Sequence, residues 1–76
     1  LMINNLKIYP NPASSFISIT SDNNEEAEIK IFDMMGRCVK NVFTDDLRSK
    51  TVNIEDLDKG IYVISIRGNI RKLVVE

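Results

Sequence analysis

The chain has 76 residues, of which 43% are hydrophobic and 28% are charged, and its formal net charge is −1. A chain this short builds one core and buries only about 60% of the surface that its unfolded form exposes. The near-neutral charge gives no basic patch for nucleic acid or for an anionic membrane surface, and no apolar run is long enough to span a bilayer. We therefore expect a single small domain over residues 1–76, with no nucleic-acid partner and no membrane insertion.

The residue types predict an all-β fold. Eleven isoleucines and six valines stand against five leucines and two alanines, and β-branched side chains fit a pleated surface better than a helix. No segment keeps an i, i+3, i+4, i+7 apolar pattern for three turns, whereas short apolar runs recur between turn residues at a spacing of roughly 8 to 12 residues. The pattern is typical of an immunoglobulin-like antiparallel β-sandwich of about seven strands.

The predicted strands follow one another with short connections. In chain order they are Leu6–Tyr9, Phe16–Thr20, Ala27–Phe32, Cys38–Phe43, Thr51–Ile54, Ile61–Arg67 and Ile70–Val75. The second and third alternate isoleucine with polar residues, which predicts one buried face. The sixth is apolar on both faces for four residues, which predicts a central position in a sheet. Gly68 and Asn69 then predict a two-residue hairpin loop of type II′, which takes glycine at its first position.

The motif YPNPA, which begins at Tyr9, interrupts this strand pattern. Pro10 and Pro12 fix φ near −65° and have no amide hydrogen to donate to a ladder. Tyr9 and Asn11 each precede a proline, which favours an extended conformation for both. We expect the segment to leave one sheet and cross the edge of the sandwich, so that the second strand begins in the other sheet. Prolines at that place also protect an edge against pairing with other chains.

The segment LDKGIYVI, which begins at Leu57, predicts a tyrosine corner. Asp58, Gly60 and Tyr62 have the D-x-G-x-Y spacing of that corner in immunoglobulin-like sandwiches. In such a corner the tyrosine hydroxyl binds backbone a few residues upstream, as the chain turns into a central strand. We expect the motif to fix the entry of the chain into the sixth strand.

The sequence offers little catalytic chemistry. It contains no histidine, so its serines lack the usual activating base. Cys38 is the single cysteine, and it forms no internal disulfide. Its neighbours Arg37 and Lys40 favour a reactive thiol, but a half-buried apolar filler is the preferred interpretation. We expect no enzyme activity, no cofactor and no metal site.

Two binding functions receive weak support. The acidic loop SDNNEEAE offers oxygen ligands for calcium but lacks the spaced acidic pattern and the glycine of a calcium loop, which favours a solvated turn. There is no tryptophan, and the scattered aromatics are expected to pack in the core or at its rim rather than to form a carbohydrate platform; they are Tyr9, Phe16, Phe32, Phe43 and Tyr62. Met34 and Met35 are expected to close one end of the sandwich, before a turn at Gly36.

Four motifs, in order, resemble a known family. LKIYPNPA, EIKIFDMMGRCVK, VNIEDLDKGIYVISI and a final KLVV resemble the type A C-terminal sorting domain of the type IX (Por) secretion system, over Leu6 to Val75. The motif positions that carry the resemblance are Tyr9, Pro10, Asn11, Pro12, Asp33, Gly36, Arg37, Leu57, Gly60 and Tyr62. Two positions depart from the usual pattern: Cys38 replaces an aliphatic or polar residue, and Glu76 stands where members commonly end in lysine or arginine.

The resemblance implies an address label rather than a catalyst. Such a domain follows a larger cargo in the same chain, and residues 1–5 would be the remainder of the linker to it. The cargo crosses the periplasm, and the domain engages the translocon or shuttle proteins of the outer membrane. A sortase-like C-terminal signal peptidase then removes the domain, and the cargo stays at the cell surface or is released.

The last predicted strand is the expected recognition element under this interpretation. Its residues are Ile70, Arg71, Lys72, Leu73, Val74 and Val75. We expect its free amides and carbonyls to pair with a strand of the partner, while Arg71 and Lys72 attract it electrostatically. The alternative is an immunoglobulin-like accessory, spacer or carbohydrate-binding module of a secreted glycanase or adhesin, because the same fold hosts many functions.

Overall fold

A computed structural model describes residues 3–76 of the chain. Its strands are β1 (Lys7–Tyr9), β2 (Phe16–Thr20), β3 (Ala27–Phe32), β4 (Cys38–Thr44), β5 (Lys50–Asn53), β6 (Gly60–Ile66) and β7 (Asn69–Val75). They form two antiparallel sheets, one with the order β1-β2-β5 and the other with the order β4-β3-β6-β7. The predicted seven-stranded, immunoglobulin-like sandwich is confirmed, and each strand lies within one residue of its predicted bounds.

The two sheets bury their inner faces against each other. Successive side chains of a strand point to opposite faces, so the isoleucines that alternate with polar residues in β2 and β3 all point inward. The largest fully buried side chains are Ile17, Ile19, Ile29, Ile31, Leu47, Ile54, Ile64, Ile66 and Leu73. Burying a side chain of this size stabilises the fold by about 1.5–3 kcal/mol relative to leaving it exposed. One continuous core therefore fixes which face of each strand is accessible.

The tyrosine corner is present at the start of β6. Tyr62 is only 7% exposed, and its hydroxyl donates a hydrogen bond of 2.6 Å to the carbonyl oxygen of Asp58. Gly60 lies beside the ring, so that a methyl group added there would be 3.9 Å from the nearest ring carbon. The corner fixes β6, which lies between β3 and β7 as its two apolar faces predict.

The β3–β4 loop explains the motif D-M-M-G-R. The Asp33 carboxylate accepts hydrogen bonds from the backbone amides of Met35 and Arg37 and from the Arg37 guanidinium. Gly36 has φ of +83°, which other residue types rarely adopt. Met34 and Met35 are 67% and 81% exposed, so the expectation that they close one end of the sandwich is wrong. They project from a tight turn that leaves them no core to contact.

The expectation that the proline segment carries the chain into the other sheet is wrong. β1 and β2 are neighbours in the same sheet, with Ile8 paired to Ile19. The segment between them instead extends to the edge of β7, where Ala13 forms an isolated parallel bridge with Val75, and then returns. The Tyr9–Pro10 and Asn11–Pro12 peptide bonds are both cis.

The first described residues pack on the domain. Ile3 is 7% exposed and belongs to the core cluster, and the backbone carbonyl of Asn4 accepts a hydrogen bond of 3.0 Å from the amide of Asp22. Asn5 donates to the Asp22 carboxylate at 2.6 Å. Leu1 and Met2 of the predicted linker lie outside the described residues. Nowhere in residues 3–76 is there a helix with the length and apolar character that crossing a membrane requires.

Candidate recognition strand

β7 is an edge strand of the four-stranded sheet and has two different faces. Leu73 and Val75 point inward and are 0% and 4% exposed. Ile70, Lys72 and Val74 point to the outer face of the sheet, where Ile70 is 57% exposed. The first half of β7 therefore presents its side chains to solvent, whereas the second half is anchored in the core.

The hairpin that leads into β7 differs from the predicted one. Its two loop residues are Arg67 and Gly68, with φ of +48° and +81°, and Ile66 pairs with Asn69. Positive φ at both loop positions is the type I′ geometry, not type II′. Arg67 takes the strained position and is anchored there by a hydrogen bond of 2.9 Å from Nε to the carbonyl oxygen of Glu26. The loop thus ends one residue earlier than expected, and Asn69 belongs to β7.

The backbone of β7 also has two sides. Alternate residues of an edge strand pair with the neighbouring strand, and the residues between them direct their N–H and C=O groups away from the sheet. In β7 the N–H and C=O groups of Ile70, Lys72 and Val74 point away from β6. The Lys72 carbonyl and both groups of Val74 accordingly bind Asn11 and Ala13 rather than β6. These groups form the edge that a further strand would contact.

Much of this edge is already covered by the YPNPA segment. The Asn11 side-chain amide donates to the Lys72 carbonyl at 2.9 Å, and its oxygen accepts from the Val74 amide at 3.0 Å. Ala13 continues the contact: its amide donates to the Val74 carbonyl, and its carbonyl accepts from the Glu76 amide, both at 2.8 Å. We call Asn11 and Ala13 the edge cover. A primary amide has the donors and the acceptor of a peptide group, so Asn11 substitutes for a residue of an eighth strand.

The expectation of a free edge from Ile70 to Val75 therefore needs correction. Of the outward N–H groups of β7, those of Ile70 and Lys72 have no acceptor among residues 3–76. The outward carbonyl of Ile70 accepts a hydrogen bond of 3.2 Å from the guanidinium of Arg71. From the Lys72 carbonyl onward the edge is occupied. The assignment of Ile70–Val75 to partner recognition stays a prediction.

The positive charges of β7 are available to a partner. The ion pairs among residues 3–76 are Arg37–Asp33, Lys40–Asp56, Arg48–Asp46 and Arg67–Glu25. Arg71 and Lys72 are both exposed and take part in none of them. Their charges are therefore not neutralised within the described part of the domain.

Charged loop residues elsewhere stabilise turns. Hydrogen bonds from the side chain and then the backbone of Arg48 lower the pKa of Asp46 to about 2. The backbone amide of Arg37 is the main reason why the pKa of Asp33 is lowered, and a hydrogen bond from Lys40 lowers that of Asp56. Asp33 and Asp46 have donors within their own loops, and Asp56 has one on β4, which is the pattern of structural groups.

No other candidate site gains support from the geometry. Among residues 3–76, no group of three or more His, Cys, Asp or Glu side chains is placed to hold a metal ion. In the acidic loop, Ser21 donates to the Leu47 carbonyl at 2.9 Å and accepts from the Asn23 amide at 3.1 Å, which makes a structural turn. Cys38 is exposed rather than half-buried, because it begins β4 on the outer side of the sheet opposite Phe32.

The aromatic side chains do not form a common platform. Tyr62 lies in the core, and Phe32 is half-buried. Tyr9, Phe16 and Phe43 are 48%, 48% and 56% exposed, so the expectation of core or rim packing is too strong for these three. Phe43 borders an open depression of about 430 Å³ together with Glu28, Lys30, Ser65 and Arg67.

Sequence reasoning named Asn11 as part of a motif but missed its contact with β7. That contact joins residues 61 and 63 positions apart, and no local pattern reports it. Sequence reasoning also did not single out Ile61 and Val63, the outer side chains of β6. The signal for these was present, because β6 is apolar on both faces, but we used it only to place the strand centrally.

Comparison with known proteins gives one family and two relatives. The model of the secretion system C-terminal sorting domain matches residues 7–76. An ulvan lyase of Nonlabens ulvanivorans is 30% identical over 66 residues, which are 87% of this chain and 12% of that protein. A beta-agarase A of Zobellia galactanivorans is 34% identical over 70 residues, which are 91% of this chain and 13% of that protein. The chain belongs to the family of C-terminal sorting domains of the type IX secretion system.

Proposed function

We propose that this domain is a non-catalytic export signal that directs a larger cargo protein across the outer membrane through the type IX secretion system. The observation that carries the proposal is the family match over residues 7–76. The shares of the two relatives agree with it, because a stretch corresponding to 12% or 13% of a protein has the size of a module attached to something larger. The cargo would be attached before the described residues.

We assign recognition to β7. Its exposed half offers the side chains of Ile70 and Lys72 together with the unpaired charge of Arg71, while Leu73 and Val75 anchor the strand. The tyrosine corner fixes β6, on which β7 is paired through seven residue positions. A strand supported in this way keeps one orientation, which lowers the entropic cost of binding.

The partners under this proposal belong to the export route. They are a translocon or shuttle protein of the outer membrane and a sortase-like C-terminal signal peptidase. The domain would pass through the periplasm, and the cargo would reach the outer-membrane surface or the medium. The domain itself would catalyse none of these steps.

The proposal is tested by export of a fusion protein. Residues 1–76 are fused to a fluorescent reporter that is delivered to the periplasm of a type IX host, and the fraction of fluorescence outside the cell is measured. We expect export of the fusion and none of the reporter alone. Removal of residues 70–76 should abolish export. Equal export of fusion and bare reporter would overturn the proposal.

A charge reversal separates loss of recognition from loss of folding. Arg71→Glu with Lys72→Glu should lower export while the purified domain still unfolds cooperatively, because both side chains are exposed. Lys7→Glu with Lys59→Glu is the matched control, since it changes the net charge equally on exposed residues elsewhere. If both pairs reduce export equally, β7 has no special role and net charge explains the effect.

A carbohydrate-binding module is the second candidate, and one observation favours it. Phe43, which is 56% exposed, borders the open depression with Glu28, Lys30 and Arg67, and an aromatic ring beside polar groups suits a sugar. The relatives named ulvan lyase and agarase suggest the probes. Retardation of the domain in gels containing ulvan or agarose, lost in Phe43→Ala, would support this candidate; equal mobility with and without the polysaccharide would exclude it for these two glycans.

A further inference from the structure

The outer face of the four-stranded sheet carries a cluster of apolar side chains around Lys72. Phe32 of β3 pairs with Val63 of β6, Val63 pairs with Lys72 of β7, and Ile61 pairs with Val74. Ile70 is the next outer residue of β7 and lies opposite Ser65 of β6. Directly opposed side chains on one face lie close enough to touch. We call this set the outer patch: Phe32, Ile61, Val63, Ile70, Lys72 and Val74.

The outer face of the other sheet has a different composition. Its side chains, placed by the register of β1, β2 and β5, are Lys7, Tyr9, Phe16, Ser18, Thr20, Thr51 and Asn53. That face is mostly polar, as expected where an antiparallel sheet meets water. The outer face of the four-stranded sheet, placed in the same way, has a larger apolar share: Phe32, Cys38, Phe43, Ile61, Val63, Ile70 and Val74 stand beside the polar Glu28, Lys30, Asn41, Ser65 and Lys72. Within it, Ile61 and Ile70 are 47% and 57% exposed. Apolar side chains that stay exposed together on one face are a feature of association sites.

The edge of β7 offers a partner few free backbone N–H and C=O groups. Addition of a strand needs a run of unpaired N–H and C=O groups. The edge cover occupies the Lys72 carbonyl, both groups of Val74 and the Glu76 amide, and Arg71 binds the Ile70 carbonyl. Two N–H groups, those of Ile70 and Lys72, are too few for a stable ladder. Recognition through β7 must therefore depend on side chains.

The charges around the outer patch define the chemistry of its partner. Lys72 lies within the patch and Lys30 lies beside it on β3, whereas Arg71 belongs to the opposite side of β7; none of the three has an ion pair among residues 3–76. Glu28, on the same face of β3, is further away and accepts a hydrogen bond from Asn41. Positive charges beside an apolar surface favour a partner with carboxylates beside an apolar surface, because complementary potentials steer association.

We propose that a protein of the export machinery docks on the outer patch with an apolar surface bordered by carboxylates, and that the edge cover stays in place during docking. This inference rests on the proposed export function and specifies how β7 is recognised. It replaces strand addition with contact between side chains. Ile61 and Val63 of β6 thereby join β7 as recognition residues.

The test uses the same reporter fusion with three single substitutions of similar exposure. Ile61→Glu and Ile70→Glu place a carboxylate in the outer patch, and each should reduce the exported fraction by at least about tenfold, as loss of a central interface contact does. Phe16→Glu is the matched control, because Phe16 is 48% exposed on the outer face of the other sheet; it should change export by less than about twofold. Thermal unfolding of each purified domain verifies that the variants fold.

Two results of this test would overturn the inference. One is normal export of folded Ile61→Glu and Ile70→Glu while the truncation of residues 70–76 still abolishes it; the export function would then stand and the patch would not. The other is an equal loss in all three variants. If the parental fusion is not exported at all, the proposed export function itself is wrong. This outcome differs from the two above, in which the parental fusion is exported.

The edge cover provides a second test. Asn11→Ala frees the Lys72 carbonyl and the Val74 amide, so recognition by strand addition predicts higher export, whereas docking on the patch predicts no increase. A rise above the parental level would refute our inference. A second copy of the domain is also an outcome to measure: if sedimentation shows a dimer that Ile70→Glu dissociates without any change in export, the patch serves self-association and the inference is wrong.

Discussion

The side-chain amide of Asn11 should contribute to stability through both its NH₂ and its C=O. It makes two hydrogen bonds to β7, of 2.9 Å and 3.0 Å. A hydrogen bond of this type contributes about 0.5–1.5 kcal/mol net. Because Asn11 is exposed and water can replace part of the contact, we expect Asn11→Ala to lower the free energy of unfolding by about 1–2 kcal/mol. That is a large share for a domain of this size.

The isosteric change Asn11→Asp separates the two bonds. The aspartate oxygen can still accept from Val74, but at neutral pH its second oxygen faces the carbonyl of Lys72 and repels it. We expect Asn11→Asp to be at least as destabilising as Asn11→Ala at pH 7. The gap from the parent should narrow below about pH 4, where a protonated carboxyl donates again.

Urea unfolding and amide exchange measure these effects. The Val74 amide should exchange about tenfold faster in Asn11→Ala, because its acceptor is gone, and 1.4 kcal/mol corresponds to a factor of ten. Asn41→Ala is the control, since Asn41 makes a single exposed hydrogen bond to Glu28 and should change stability by no more than about 0.5 kcal/mol. If both Asn11 variants keep the stability and the Val74 amide exchange rate of the parent at pH 7, the edge cover does not stabilise the domain.

Three further outcomes follow from the loops and the corner. Tyr62→Phe should lower the free energy of unfolding by about 1–2 kcal/mol, because the Asp58 carbonyl loses its donor; no change in the urea midpoint would show that water replaces it. Gly36→Ala should lower the free energy of unfolding by about 1 kcal/mol, since φ at this position is +83° although a methyl group has space. An unchanged urea midpoint would refute this. The pKa of Asp46 is lowered to about 2, below its value near 3.9 in the unfolded chain, so ionised Asp46 stabilises the fold. Stability should therefore decline as the pH falls from about 4 to 2, and less steeply in Asp46→Asn. Identical pH profiles of the two proteins would contradict the pairing with Arg48.

The elements that the sequence predicts well are those with local patterns. Alternation of isoleucine with polar residues located β2 and β3 and their buried faces, and the spacing from Asp58 to Tyr62 identified the corner. Each of these signals lies within a few residues, where the period of a strand or the reach of one side chain decides the structure. The β6–β7 loop was misplaced by one residue because both Gly68–Asn69 and Arg67–Gly68 satisfy a two-residue loop, and the pairing register decided between them.

The candidate site was predictable only in part, for a physical reason. That β7 is an exposed final strand follows from its sequence, but whether its edge is free depends on a segment about 60 residues away. The prolines indicate that the YPNPA segment cannot pair as a ladder, and they do not indicate which groups Asn11 contacts. Likewise, the exposure of Met34, Met35 and Cys38 depends on the absence of a covering element, which residue types alone do not report.

The edge cover also determines how the domain would bear mechanical load. Ala13 and Val75 run parallel to each other where they meet, so a cargo pulling from the N-terminal side against a held β7 would stretch the contact along its length. Its four hydrogen bonds would then share the force in shear, rather than open one after another as in a peeled hairpin. Forced unfolding is governed by the unfolding rate, and loading these bonds in shear would keep that rate low.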